Sequence, residues 1–155
     1  MAGNGRTRQT RASAETIWRL WSDTATWNEW NPGVKRMVMG GAFINGTTGV
    51  MHTPAGQQHQ IRLINILPGQ SFDLETQVLP LTQFRFHCEV VPATTGSRIS
   101  QSVHMSGPLA FVMAPLAGER IASSFDPLLK GLSDKAEAID GNAVELAAPG
   151  MLDEG

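Results

Sequence analysis

The stretch from Val34 to Met105 most constrains the fold, because it breaks into strand-sized pieces that show no helical spacing. Gly, Pro and Asn separate the pieces, which is typical of strands joined by turns. Each separator is short enough for a strand to pair with the next one along the chain. The pieces are VKRMVM, TTGVMHT, HQIRLINIL, SFDLETQVL, QFRFHCEVV and SRISQSVHM. The sequence therefore predicts a meander of antiparallel strands.

Apolar and polar residues alternate in the last three pieces, so each side chain can be assigned to one face of the sheet. The residues predicted to face inward are Phe72, Leu74, Thr76, Val78, Phe84, Phe86, Cys88, Val90, Ile99, Gln101, Val103 and Met105. The residues predicted to face solvent include Asp73, Glu75, Arg85, His87 and His104. One face of the sheet is therefore expected to be apolar and the other wet.

Two short helices are predicted before this strand region. The segment RTRQTRA is consistent with a first strand, and Ser13 after it is a good N-cap for a helix. An apolar stripe at i, i+3 and i+4 follows in Ile17, Leu20 and Trp21. A second short helix is expected to end before Pro32, which disfavours helical geometry in the residue that precedes it.

Helical spacing returns after the strands, where apolar residues recur at steps of three or four. This spacing predicts a long C-terminal helix, with Phe125, Leu129 and Leu132 facing the inward side of the sheet. Residues 1–140 are expected to form one domain. The segment 141–155 has little to bury, and it is expected to be a flexible tail.

Composition narrows the class of protein. The chain has 155 residues, of which 41% are hydrophobic and 17% charged, as is usual for one globular domain. No apolar run reaches the length of a membrane helix, and no signal peptide is predicted, so we expect a cytoplasmic location. With a formal net charge of -2 and no basic stripe, nucleic acid is not an expected partner.

Three segments stand out in the sequence: ASAETIWRLWSDTATWNEWNPGVK, SRISQSVHMSGPLAF with the following PLAGERI, and the terminal LSDKAE. They resemble the polyketide cyclase/dehydrase-like branch of the START and Bet v 1-like (SRPBCC) superfamily. The resemblance covers residues 5–138 and implies an α+β helix-grip fold. In that fold a curved antiparallel sheet of about seven strands wraps around a long C-terminal helix, and two short helices follow the first strand.

The resemblance also implies a deep, mostly apolar cavity between the sheet and the last helix. Trp27 and Trp30 are neighbours on the second short helix, so they are predicted either to pin that helix or to frame the cavity mouth. Gln101 alone interrupts the inward apolar series, so its amide needs a polar partner inside. The residues predicted to contact a ligand are Trp27, Trp30, Phe72, Leu74, Phe84, Phe86, Cys88, Gln101, Val103, Met105, Met113, Phe125 and Leu129.

Evidence for catalysis is weaker. His52 is the one weak candidate for an acid or base. The segment TTGVMHT does not alternate clearly, so His52 cannot be assigned to either face of the sheet and could point into the cavity. The histidines show no metal-ligand pair at helical spacing, and strand alternation assigns His87 and the lone Cys88 to opposite faces, so neither a metal nor another cofactor is predicted. No nucleophile elbow or phosphate-binding loop is apparent in the sequence.

Three functions are compatible with the sequence. The leading one is the binding or carriage of a small apolar or amphipathic molecule, lipid-like or polyketide-like, inside the cavity. The second is a polyketide cyclase, aromatase or dehydratase, which would need a buried acid-base pair. The third is a non-catalytic interaction protein with an exposed apolar patch and a cavity filled by side chains. A homodimer is compatible with all three.

The assignment of strand faces can be tested with two neighbouring substitutions. We expect Phe86→Asp to abolish folding or ligand uptake, because a buried carboxylate without a partner is heavily penalised. Arg85→Ala, its control, is expected to change stability by no more than about 0.5 kcal/mol, as is usual for an exposed residue. Thermal unfolding of the two variants makes the comparison, and similar midpoints would mean that the faces are reversed.

Overall fold

A computed structural model describes residues 4–79 and 81–154, with side chains for all of these except 78, 79 and 143–154. The elements in chain order are β1 (Gly5–Thr10), α1 (Ala14–Ser22), a 3-10 turn (Thr24–Thr26), α2 (Trp27–Trp30), β2 (Arg36–Met39), β3 (Thr48–His52), β4 (Gln58–Leu67), β5 (Ser71–Leu79), β6 (Thr82–Ala93), β7 (Gly96–Ser106), α3 (Ala110–Ser123) and α4 (Phe125–Glu154). The predicted inward orientation of Val78 lies outside the described side chains.

The strands form one antiparallel sheet in the order β1-β7-β6-β5-β4-β3-β2. Six consecutive strands make the predicted meander, and β1 pairs with β7 and forms one edge of the sheet. The α+β helix-grip prediction is confirmed, since short helices follow β1 and a long C-terminal helical segment follows β7. No helix within residues 4–79 and 81–154 is long and apolar enough to cross a membrane.

The predicted C-terminal helix is divided in two, with α3 and α4 meeting at Ser124. Pro127 supplies the reason, because its ring lacks an N–H and clashes with the carbonyl four residues earlier. In the first turn of α4 the missing N–H costs nothing, since such donors have no partner inside the helix. The break therefore lies two to three residues before the proline, and Pro115 remains within α3.

Strand alternation correctly predicts the buried face of the sheet. The buried residues on that face include Phe72, Leu74, Phe84, Cys88, Val90, Ile99, Val103 and Met105. They divide into two apolar clusters, one packed against Leu128, Leu129 and Leu132 of α4, and the other against Ala122 and Phe125. Phe86 is only half-buried, and it touches both clusters.

Asp73 lies on the opposite face as predicted, but its expected exposure is wrong, since only 7% of it reaches solvent. His87 on the adjacent strand approaches with Nδ1 2.6 Å from one carboxylate oxygen of Asp73. Asn65 donates from its side-chain nitrogen to the other oxygen at 2.9 Å. The neighbouring side chains therefore cover this carboxylate, which the alternating pattern cannot reveal.

Carboxylates of α4 hold this helix against the start of the chain. One oxygen of Glu137 accepts hydrogen bonds from the Arg11 backbone N–H at 2.8 Å and from the Thr10 hydroxyl at 3.1 Å. One turn further, Asp140 accepts from the Ser13 backbone N–H at 2.8 Å. The backbone hydrogen bond, followed by the hydroxyl bonds, holds the pKa of Glu137 below its ordinary value of 4.5.

The lowered pKa of Glu137 predicts a pH-dependent contribution to stability. The folded protein binds this proton less readily than the unfolded chain, so the stabilisation is present above pH 4.5 and is lost as the pH falls through the folded pKa. We therefore expect Glu137→Gln to lower the unfolding midpoint at pH 7, and the difference from the parent to shrink towards pH 3. Thermal unfolding across this pH range measures the effect, with Glu89→Gln on the exposed face as the control. If the unfolding midpoints of Glu137→Gln and the parent differed by the same amount at every pH, the predicted contribution of Glu137 would be contradicted.

Candidate functional site

A cavity of about 180 Å³ lies between the inward face of the sheet, α2 and the α3–α4 junction. It occupies the space between the two apolar clusters, so its walls come from both. The lining residues are Trp21, Trp27, Trp30, Asn31, Gly33, Val34, Met51, Phe72, Leu74, Phe86, Cys88, Gln101, Ile121, Ser124, Phe125 and Leu128. Because this lining is largely aromatic and aliphatic, a ligand inside it would bury most of its apolar surface.

Two larger grooves lie elsewhere, and both are more polar. One of about 640 Å³ runs across β2 to β5, with Arg62 and Glu75 among its lining residues. The other, of about 490 Å³, is bordered by Lys35, Arg36 and His52. These grooves have the larger volumes. Small-molecule sites are concave and mostly apolar, however, and the smaller cavity matches that description better. We therefore take the smaller cavity as the candidate site.

Trp27 and Trp30 form part of the cavity wall. Their ring centroids are 5.7 Å apart with planes inclined at 55°. The indole N–H of Trp27 donates to the carbonyl of Trp21 at 2.9 Å, and that of Trp30 donates to the Thr26 hydroxyl at 3.2 Å. Both polar groups are therefore engaged by the protein, and the cavity receives only the apolar ring surfaces.

The approach of α4 to α2 depends on Gly131. A Cβ atom added to this residue would lie 2.2 Å from the carbonyl oxygen of Trp30. Any other residue would therefore push the two helices apart and move the tryptophan wall. Nothing in the sequence pattern marks this glycine, because it lies inside an otherwise regular helical stretch.

The cavity opens where the chain leaves α2 and where α3 meets α4. Gly33 and Ser124 are exposed there, and Asn31 is half-buried. Trp27 and Trp30 are both buried, so the prediction that they frame the mouth is corrected: they lie in the wall behind it. The mouth is formed by backbone breaks on both sides, because Pro32 ends one helix and Pro127 starts the other.

Gln101 is the most enclosed polar side chain of the lining, with 8% of the residue exposed. Its side-chain amide makes no hydrogen bond to any residue in the described part of the chain. The described side chains include no fully enclosed nitrogen or oxygen without a partner, so this amide opens into the cavity. Cys88 stands directly beside Gln101 in the paired strand.

Cys88 carries the one thiol of the site. Burial, and then the negative charge of Asp73 on the other face of the sheet, raise the pKa of this thiol far above its ordinary value. The group therefore stays protonated at neutral pH and is not a nucleophile. No lining residue among those described is an Asp, Glu, His, Lys or Arg.

The ligand contacts predicted from the sequence separate into two groups. Those that line the cavity are Trp27, Trp30, Phe72, Leu74, Phe86, Cys88, Gln101 and Phe125. Those that the structure places behind the lining, within the core clusters, are Phe84, Val103, Met105, Met113 and Leu129. The second group packs around the cavity: Phe84, Val103, Met105 and Leu129 are buried, and Met113 is partly buried against them. A role in ligand binding stays a prediction for the first group.

His52 does not reach the cavity. Its neighbour Met51 lines the cavity, so strand alternation directs His52 to the opposite face, beside Arg36 in the paired strand. Cavity residues that the sequence did not indicate include Trp21, Asn31, Gly33, Val34, Met51, Ile121, Ser124 and Leu128. The helical stripes contained a signal for Trp21 and Leu128, whereas Met51 follows only from strand pairing.

The fold resembles several solved structures at low sequence identity. The di-domain ARO/CYC protein StfQ from the steffimycin biosynthetic pathway matches with a TM-score of 0.73 and 16% identity, over 88% of this chain and 51% of that protein. The present chain thus spans about half the length of StfQ. Protein XoxI from Bacillus cereus matches with a TM-score of 0.71 and 15% identity, over 88% of this chain and 96% of that one.

A START superfamily protein from Mycobacterium smegmatis matches with a TM-score of 0.65 and 18% identity, over 87% of this chain and 97% of that one. At such identities the likeness concerns the fold alone. No curated protein matches the sequence significantly. The family model described as polyketide cyclase/dehydrase and lipid transport matches residues 5–137, which is most of the chain. The chain therefore belongs to the polyketide cyclase/dehydrase and lipid transport family.

Proposed function

We propose that this protein binds a small apolar or amphipathic molecule in the cavity between the sheet and the C-terminal helices. The observation that carries the proposal is the aromatic lining around one unpaired amide, that of Gln101. Burial of apolar surface provides the affinity in such a site, and a polar contact fixes the orientation. The family description, which names both lipid transport and cyclisation, supports a ligand of this class.

The lining favours binding over catalysis. A cyclase or dehydratase must move protons, and the usual donors and acceptors are carboxylates, imidazoles and amines. None of the described lining residues carries such a group, and the Cys88 thiol stays neutral. The likeness to an ARO/CYC protein therefore supports the cavity, but no group of the site favours that chemistry.

The third function, that of a non-catalytic interaction protein, is the less favoured alternative. Exposed apolar residues do exist on α3, with Phe111 and Leu116 the most exposed of them. Side chains do not fill the space between the two core clusters, however, as that alternative would require. We include residues 1–140 in the proposed ligand-binding domain and leave the segment 141–155 outside it. Nucleic acid is not part of the proposal.

The direct experiment is to identify what the folded protein retains. Native mass spectrometry of the purified chain, followed by solvent extraction, would give the mass of a co-purifying molecule. Retention of a defined apolar compound at one molecule per chain supports the proposal. Conversion of that compound into a new mass on incubation would instead support the enzyme alternative.

A cavity-filling variant provides the second test. We expect Cys88→Leu to weaken the binding of apolar probes about ten-fold, because the larger side chain occupies the site and overpacking costs about 1–3 kcal/mol. The probes are toluene, 1-decanol and oleate, and saturable changes in tryptophan emission report binding, since Trp21, Trp27 and Trp30 line the cavity.

Val90→Leu is the matched control, because Val90 lies on the same strand and face, is equally buried, and does not line the cavity. This variant should bind each probe like the parent. Equal losses in the two variants would mean that general repacking weakens binding, and no saturable binding by the parent would reject the proposal.

A further inference from the structure

The size of the cavity restricts the ligand more strongly than the family description does. Drug-sized ligands occupy sites of about 300–1,000 Å³. The present cavity measures about 180 Å³. A cavity of about 150 Å³ lined by Leu, Ile and Phe accommodates benzene. The site therefore fits one six-membered ring with a short substituent, and a long acyl chain or a fused polycycle exceeds it.

The walls match a flat aromatic ligand. The Trp27 ring lies 6.2 Å from the Phe72 ring at 39°, and 5.7 Å from the Trp30 ring at 55°. On another side of the cavity the rings of Phe86 and Phe125 are 6.0 Å apart, with planes at 77°. Aromatic pairs favour such tilted and edge-to-face arrangements, so a further ring finds both face and edge contacts here.

The electrostatics of the lining exclude a charged ligand. No described lining residue is charged at neutral pH, so a carboxylate or ammonium group inside would lack a counter-ion and lose its hydration. Arg6 of β1 is the residue paired with Gln101 of β7. Its guanidinium is held by Glu119 and Asp126 of the two C-terminal helices.

The amide and hydroxyl side chains of the lining differ in how far the protein engages them. The side-chain oxygen of Asn31 accepts from the Gly33 backbone N–H at 2.9 Å, and the Ser124 hydroxyl donates to the Ile121 carbonyl. Both lie at the mouth. Gln101 lies deeper, is more than nine-tenths buried, and has an amide that no described residue engages. An amide offers a donor and an acceptor, which together suit a hydroxyl group.

We propose that the ligand is an uncharged, single-ring aromatic molecule with one hydrogen-bonding substituent, of the phenol class, and that the substituent binds the amide of Gln101. This inference rests on the proposed binding function and names the ligand class for the same cavity. The ring lies against the tryptophan and phenylalanine walls, and the hydroxyl points to β7.

Calorimetry with small probes tests the size and charge of the ligand. We expect p-cresol to bind the full chain with one site, and toluene to bind roughly two- to ten-fold more weakly, which is the range of one neutral hydrogen bond. Benzamide and benzoate have nearly the same shape and differ in charge. Benzamide should bind and benzoate should not, so equal affinity for the two would overturn the uncharged assignment.

Substitution of Gln101 tests the polar contact. In Gln101→Leu, p-cresol should lose roughly two- to ten-fold in affinity and bind like toluene, while toluene binding stays within about two-fold of the parent. Gln9→Leu on the exposed part of β1 is the control and should leave both affinities unchanged. Toluene binding by Gln101→Leu confirms that the cavity is intact, so an unchanged affinity for p-cresol would then overturn the role of Gln101.

The same probes separate this inference from the proposed function. Binding of 1-decanol or oleate that Cys88→Leu weakens, without binding of p-cresol, would overturn the ligand class and preserve a binding function. If none of the probes binds, both proposals fail. Binding of p-cresol and benzamide, with benzoate and oleate excluded, supports both.

Discussion

The contact between the C-terminal helices and the curved sheet holds the rest of the structure in place. Leu128, Leu129 and Leu132 of α4 enter the same apolar cluster as the short helices and the middle of the sheet. Burial of these side chains supplies a driving force proportional to the apolar area removed from water. Hydrogen bonds from the start of the chain to Glu137 and Asp140 fix the direction of α4. If α4 moved, the sheet would lose the surface that covers its inward face.

The cavity follows from a mismatch between this helix and the sheet. Protein interiors are normally filled to the density of organic crystals, and open space costs dispersion contacts. Here the two core clusters meet α3 and α4 on either side of the break at Ser124, and side chains do not close the gap between them. Pro127 and Gly131 maintain this arrangement, the first by separating the helices and the second by allowing α4 to approach Trp30.

The charge distribution keeps the interior neutral. Two ionisable groups close to the cavity are engaged by other side chains. Asp73 is covered on the outer side of the sheet by His87 and Asn65. Arg6, the residue paired with Gln101, is held by carboxylates of the two C-terminal helices. A largely apolar space with no charged residue in its described lining, and with the Gln101 amide unengaged, discriminates ligands mainly by size and by charge. Proteins that share a fold can differ in function because the residues of their sites differ in size, charge and polarity. The common architecture does not determine these properties of the site.

The main architecture can be predicted from the pattern of apolar and polar residues. Period-two alternation identified the buried face of β5, β6 and β7, and helical spacing identified α1 and the C-terminal helices, because these periods reflect backbone geometry directly. The same alternation correctly placed Phe72, Leu74, Cys88 and Gln101 on the inward face. It also predicted exposure for Asp73, which is wrong because burial on the outer face depends on neighbouring strands.

The packing of the helices over the sheet determines which inward residues line the cavity and which fill the core. Phe84 and Phe86 are equivalent in the alternating pattern, yet Phe86 lines the cavity and Phe84 is packed within a cluster. The difference depends on where α3 ends and α4 begins, and hence on how each helix lies over the sheet. Likewise, the role of Gly131 and the free amide of Gln101 depend on contacts between distant segments. Local periodicity specifies the face of a residue, whereas the space left beside it is set by the packing of the whole chain.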